Sequence, residues 1–202
     1  MKKIKILFLA VALLGGTSAF AQQNWNAGVG YTTTSFSGTD CSLFLVKHPL
    51  RGFYAGVSHE FYFSALAGLT FEPGVYFVYQ TGRNDADVKP KYIKMPYLSL
   101  PLDVKYTFSI AEGATAAVFT GPVANFGVIG NVFDKGTFET NKDLLDPMHP
   151  LTRANVQWQF GAAFTIAEAV QLRVSYSLGV SRLIAEQEIH NNSFSIGAGL
   201  LF

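Results

Sequence analysis

The stretch that decides the fold is Met95–Phe108, MPYLSLPLDVKYTF. Its even positions, Pro96, Leu98, Leu100, Leu102, Val104, Tyr106 and Phe108, are apolar or aromatic. Its odd positions, Met95, Tyr97, Ser99, Pro101, Asp103, Lys105 and Thr107, are mostly polar and carry two charges. Successive side chains of a strand point to opposite faces, so this alternation reads as a β-strand with two unlike sides.

The same pattern recurs on both sides of that stretch. Strands are predicted over about Trp25–Phe36, Phe53–Phe63, Leu69–Gln80, Ala114–Ile129, Asn155–Ile166, Val170–Ser181 and Ser193–Phe202. Their apolar faces include Val29 and Tyr31, Val57 and Phe61, Val75 and Phe77, Val118 and Phe126, Trp158 and Phe160, Leu172 and Val174, and Ile196 and Leu200. With the opening strand there are eight, each long enough for the roughly 9–11 residues a tilted strand needs to cross a bilayer. Ser64–Gly68, Ser109–Gly113 and Ala167–Ala169 are short turns, whereas the connections up to Leu50, Thr81–Lys94, Gly130–Ala154 and Arg182–Asn192 are long. Regular exchange of short and long connections predicts an all-β fold, an eight-stranded antiparallel up-and-down transmembrane barrel with short periplasmic turns and long outer loops. Pro73, Pro101 and Pro122 fall inside these strands, where each removes a ladder donor, and are expected at bulges or bends.

The N-terminus supports that setting. Lys2, Lys3 and Lys5 precede an apolar run, Ile6–Leu14, and Ala19-Phe20-Ala21 fits a small-x-small cleavage site. Residues 1–21 thus read as a secretory signal peptide and 22–202 as one barrel domain. No cysteine follows the expected cut directly, so no lipid anchor is expected, and the single Cys41 has no partner for an intrachain disulfide.

Alternation alone does not say which face meets which medium, because soluble barrels and sandwiches alternate too. The distribution of charge does. Of 29 Asp, Glu, Lys and Arg residues, three lie in the leader, five within strands, and two, Glu112 and Glu168, in short turns; the rest crowd into the four long connections. A soluble sheet would spread charge over its water-facing side. The polar faces consist mainly of Gly, Ser, Thr, Asn and Gln, suited to a narrow interior. Trp25, Phe61, Phe63, Phe71, Tyr106, Phe108, Phe164 and Phe202 gather near the short turns, as in an interfacial aromatic girdle. The apolar faces are therefore assigned to outer-membrane lipid of a Gram-negative bacterium. The net charge of +1 gives no footprint for nucleic acid.

The segment YLSLPLDVKYTF, together with GPVANFGVIG and the ending SFSIGAGLLF, resembles the small outer-membrane barrel proteins of the PorT-like kind, with OmpA- and OmpX-like eight-stranded architecture. The resemblance spans the mature chain and implies architecture, not a catalytic residue. It also implies an accessory part in a secretion system as one role. Phe202 at the end of alternating apolar positions resembles the signal read by the barrel-assembly machinery.

Five charges lie on inward faces: Glu60, Glu72, Asp103, Lys105 and Arg173. A turn symmetric about Leu66 would set Glu60 opposite Glu72, and two facing carboxylates repel unless cations are near. Counting from strand ends places Lys105 and Arg173 at the same height, with Asp103 one step above. An eight-stranded lumen is only wide enough for side chains. These five, with the inward tyrosines Tyr54, Tyr62, Tyr76 and Tyr97, therefore predict a polar plug and a layer that satisfies buried charge; a gated proton or ion path is the functional alternative.

Function is then expected outside the lumen. Loops on a rigid scaffold commonly carry function, and the longest one offers Phe133, Phe138, Leu144, Leu145 and Met148 among charges as a contact surface for an extracellular or secretion-system partner. A conduit for small solutes or hydrophobic ligands is the main alternative. A lipid-modifying enzyme would need Ser and His on one face; Ser58 and Glu60 share a face but His59 points the opposite way, and His48, His149 and His190 fall in outer loops. Those three with Asp40 match no metal-ligand spacing. The sequence thus predicts a monomeric, non-enzymatic barrel with no cofactor and no metal.

Overall fold

A computed structural model describes residues 24–37, 49–63, 66–84, 91–128, 131–134, 140–143, 154–181 and 190–202. Its strands are β1 (Trp25–Ser37), β2 (Leu50–His59), β3 (Phe61–Tyr62), β4 (Leu69–Asn84), β5 (Lys91–Ala111), β6 (Ala114–Gly127), β7 (Asn131–Asp134), β8 (Thr140–Asp143), β9 (Ala154–Ile166), β10 (Val170–Gly179) and β11 (His190–Leu201). β3 continues β2 along β4 after a break at Glu60, so the two act as one barrel strand. All pairings are antiparallel. They run in chain order around a ring that closes through β1–β11, giving an eight-stranded meander without a free edge in the wall, the condition lipid imposes on a spanning sheet. At the seam where the ring closes, Trp25 and Phe202 exchange main-chain hydrogen bonds of 3.1 and 2.9 Å.

Burial is inverted relative to a soluble protein. Among the described residues, buried side chains are mostly polar, whereas Val57, Phe77, Leu102, Val174 and Ile196 stand 41–48 % exposed on the outer wall. Each large apolar side chain withheld from burial forgoes about 1.5–3 kcal/mol. A wall of more than thirty such residues facing water would forfeit far more than the roughly 5–15 kcal/mol that holds a domain together. The wall is a lipid-facing surface.

Three expectations change. The outer ends of the strands run further than the apolar alternation: Thr81–Asn84 pair with Lys91–Lys94 inside the stretch read as a loop, and Asn131–Asp134 add a short strand beside Lys91–Lys94, itself paired with β8. Hydrophobic alternation ends where lipid ends, but a ladder can continue into water on polar residues. The prolines are not bulges. Register is the same on both sides of Pro73, Pro101 and Pro122, and the one irregularity in β5–β6 lies between Ser109 and Ala111. Finally, β6 turns Phe119 and Val123 inward, 4 % and 2 % exposed, so one wall of the lumen is apolar.

Candidate functional site

Five charged residues, Glu60, Glu72, Asp103, Lys105 and Arg173, lie on lumen faces of the strands, and the ladders set their geometry. Ser58 pairs with Gly74 and Phe61 with Phe71, which puts Glu60 opposite Glu72. Glu72 in turn pairs with Asp103. Three carboxylates therefore stand side by side: Glu60 at the break between β2 and β3, Glu72 on β4 and Asp103 on β5. Lys105 lies opposite Thr70, one inward step toward the periplasm. Along the ladder it is Asp103 that shares a rung with Glu72, while Lys105 reaches both glutamates from the next inward position; in tilted strands a rung is not a height, so the two relations hold together.

Like charges in adjacent strands need counter-charges close by. Lys105 Nζ donates to Glu60 Oε1 and, at 3.1 Å, to Glu72 Oε2. Arg173 reaches across from β10, with one guanidinium nitrogen 2.7 Å from Glu72 Oε1 and another on Asp103 Oδ2. Glu60, Lys105, Glu72, Arg173 and Asp103 form a continuous chain of ion pairs. All are buried to 7 % exposure or less except Arg173, whose side chain is 13 % exposed. A planar guanidinium with several donors suits this bridging role better than a second ammonium would.

The inward Tyr76 and Ser58, and Phe119, which the alternation did not single out, complete the layer. Tyr76 donates to Ser58 Oγ at 3.2 Å, and Ser58 donates to Glu72 Oε1 at 2.7 Å. The Phe119 ring lies 3.8 Å from the Arg173 guanidinium carbon, a cation–π contact. That ring fits because position 161 is glycine: a Cβ there would fall 2.1 Å from Phe119 Cζ. The clue was available, since Phe119 sits on the face opposite Val118, but apolar residues on both faces of this strand obscured it.

Polar contacts fill the lumen on both sides of the layer. Toward the outside, Gln80 Nε2 donates to Thr34 at 2.8 Å, Thr34 and Ser193 are 2.8 Å apart, and Asn125 Nδ2 donates to Asn155 and Gln157 at 3.0 and 2.9 Å. Toward the periplasm, Asn26 Nδ2 donates to Gln171 at 2.9 Å. A cavity of about 70 Å³ lined by residues including Tyr54, Tyr97, Ser99 and Arg173 lies in the lumen. A vestibule of about 520 Å³, lined by Glu60, Tyr62, Lys105 and Glu168 among others, lies at the periplasmic end.

The other candidates separate from this site. Ser58 and Glu60 point inward, while His59 stacks edge-on against Trp25 at 4.7 Å and tilted against Phe61 at 4.5 Å; the run Ser58-His59-Glu60 makes no triad. Among the described residues no group of His, Cys, Asp and Glu could hold a metal ion. Phe133 lies in β7; Phe138, Leu144, Leu145 and Met148, with Asp40, Cys41, His48 and His149, lie outside the described residues. Phe202 faces outward beside Trp25, 42 % exposed.

The profile of the family described as outer membrane protein beta-barrel domain matches residues 7–202. The chain belongs to that family. Its members are outer-membrane barrels, so the lipid outside this wall is that of the outer membrane. No match was found among curated proteins. Solved structures of similar shape include Ail, the attachment invasion locus protein of Yersinia pestis, in complex with the heparin analogue sucrose octasulfate (14 % identity, 90 % of this chain and 100 % of that one, TM-score 0.49). They also include the outer-membrane enzyme PagL (13 %, 86 % and 98 %, TM-score 0.49) and Neisserial surface protein A (12 %, 88 % and 97 %, TM-score 0.47). This outer-membrane barrel is thus only distantly similar to each.

Proposed function

We propose that this outer-membrane barrel is a non-enzymatic scaffold. Its lumen is closed by side chains and its outer loops, through Phe133, Phe138, Leu144, Leu145 and Met148, hold an extracellular or secretion-system protein. The PorT-like resemblance of YLSLPLDVKYTF is the reason to include a secretion-system partner. Cleavage after Ala21 delivers the chain to the periplasm, the assembly machinery reads Phe202, and the barrel works as a monomer. The observation that supports the closed lumen is the ion-pair chain from Glu60 to Asp103, which spans β2, β4, β5 and β10, backed by the polar cross-links above it. A closed lumen leaves the loops as the surface on which selection can act.

Two measurements test this reading. In planar bilayers the purified barrel is expected to show no steady conductance; a steady open level would favour a conduit instead. Deleting Thr137–Met148 is expected to leave heat-modifiable gel migration unchanged while abolishing recovery of the partner captured from intact cells by the full chain. Capture that survives the deletion would discard the loop surface.

A further inference from the structure

We infer that the charge layer is the lock on a lateral seam in the barrel wall. The observation comes from where the ladders break. Pairing between β2–β3 and β4 is interrupted at His59–Glu60 and Glu72–Pro73. Between β4 and β5 it is interrupted at Gly74–Val75 and Leu100–Pro101. Between β5 and β6 it is interrupted at Leu102–Asp103 and Gly121–Pro122. Each gap contains one proline, which has no N–H to give to its neighbour. Pro73, Pro101 and Pro122 thus remove a donor from three successive seams, at adjacent rungs.

The opposite wall is built differently. Pairing of β6 with β9 runs from Ala114 to Phe126, that of β9 with β10 from Val170 to Gly179, and that of β1 with β11 from Asn26 to Ser37, all without a break. The weakness is confined to one side of the barrel.

The ion pairs cross that side at the same level. Lys105 on β5 joins Glu72 on β4 and Glu60 at the end of β2. Ser58 on β2 is hydrogen-bonded to Glu72 on β4. Arg173 draws Glu72 and Asp103 toward the intact wall. Side chains therefore hold together the strands whose main chains are not fully laddered. Tyr76, Ser99, Pro101 and Val123, beside the gaps, also line the internal cavity, so release of the lock would open a lateral route between that cavity and the bilayer. Hydrogen exchange reports such local opening directly, because amides exchange through the least costly opening available to them.

The test is amide exchange of the full barrel in lipid nanodiscs, read by mass spectrometry on peptides covering residues 72–76, 99–104 and 120–124, with 157–162 and 194–199 as the opposite wall. In Arg173→Met the first set is expected to exchange at least tenfold faster than in the unaltered chain, with little change in the second. Adding Pro73→Val, Pro101→Ser and Pro122→Val, which restores the missing donors, is expected to reverse most of that increase. If Arg173→Met does not assemble, Ser58→Ala, which removes one β2–β4 link and no charge, is expected to raise exchange at residues 72–76 alone. Equal acceleration around the whole barrel, no acceleration, or acceleration indifferent to the prolines would overturn the lock.

Discussion

Replacing Arg173 with methionine should destabilise the folded barrel by about 3–5 kcal/mol, the cost typical of removing one partner from a buried ion pair. The size follows from the charge count. Three carboxylates, Glu60, Glu72 and Asp103, share the layer with two cations, Lys105 and Arg173. Loss of the guanidinium leaves Lys105 alone to face all three, and Glu72 and Asp103 adjacent in register with no cation between them. Phe119 also loses the partner stacked on it. Methionine keeps most of the apolar stem, so the effect reads charge more than volume. Adding Asp103→Asn brings the excess of carboxylates over cations back from two to the original one and should recover half or more of the loss, which a purely packing defect would not. Urea unfolding from lipid vesicles, followed by tryptophan fluorescence and gel migration, measures both steps. A loss below about 1 kcal/mol, the range of an exposed pair, would mean that water reaches the layer and that it is no plug.

Much of this was legible in the chain. The strands, the closure and the inward charges follow from period-2 alternation, because one face of each strand meets lipid and the other does not. The opposition of Glu60 and Glu72 followed from a short turn, which leaves little freedom in register. The relation of Asp103 to Glu72 did not, since β4 and β5 are joined by a long connection whose length says nothing about stagger. The outer ends of β4 and β5 were also hidden: Arg83, Lys91 and Lys94 look like loop residues, yet above the membrane a strand can carry charge on either side. Phe119 was hidden for a different reason. Lumen positions are selected to fill a shape, and a ring packed on a guanidinium over Gly161 satisfies that as well as a polar group does. The prolines were visible as anomalies, but only the pairing pattern shows that each interrupts a different seam.

The lumen exists as described only if the greasy face of the sheet touches hydrocarbon. Spin labels on single cysteines, introduced in a Cys41→Ser background at positions 171, 172, 174, 175, 176 and 177 of β10 with Arg173 left in place, test it most directly. Leu172, Val174 and Tyr176 are exposed on the wall, while Gln171 and Ser177 are buried and Ser175 lines the lumen cavity. In bilayers, labels at 172, 174 and 176 should collide several times more often with dissolved oxygen, which concentrates in lipid, than with a water-soluble nickel chelate, and labels at 171, 175 and 177 should show neither preference nor high access to oxygen. Oxygen access that peaks at 171, 175 and 177, or labels at 172, 174 and 176 that meet the aqueous chelate freely, would contradict the fold as a membrane barrel and everything built on its lumen.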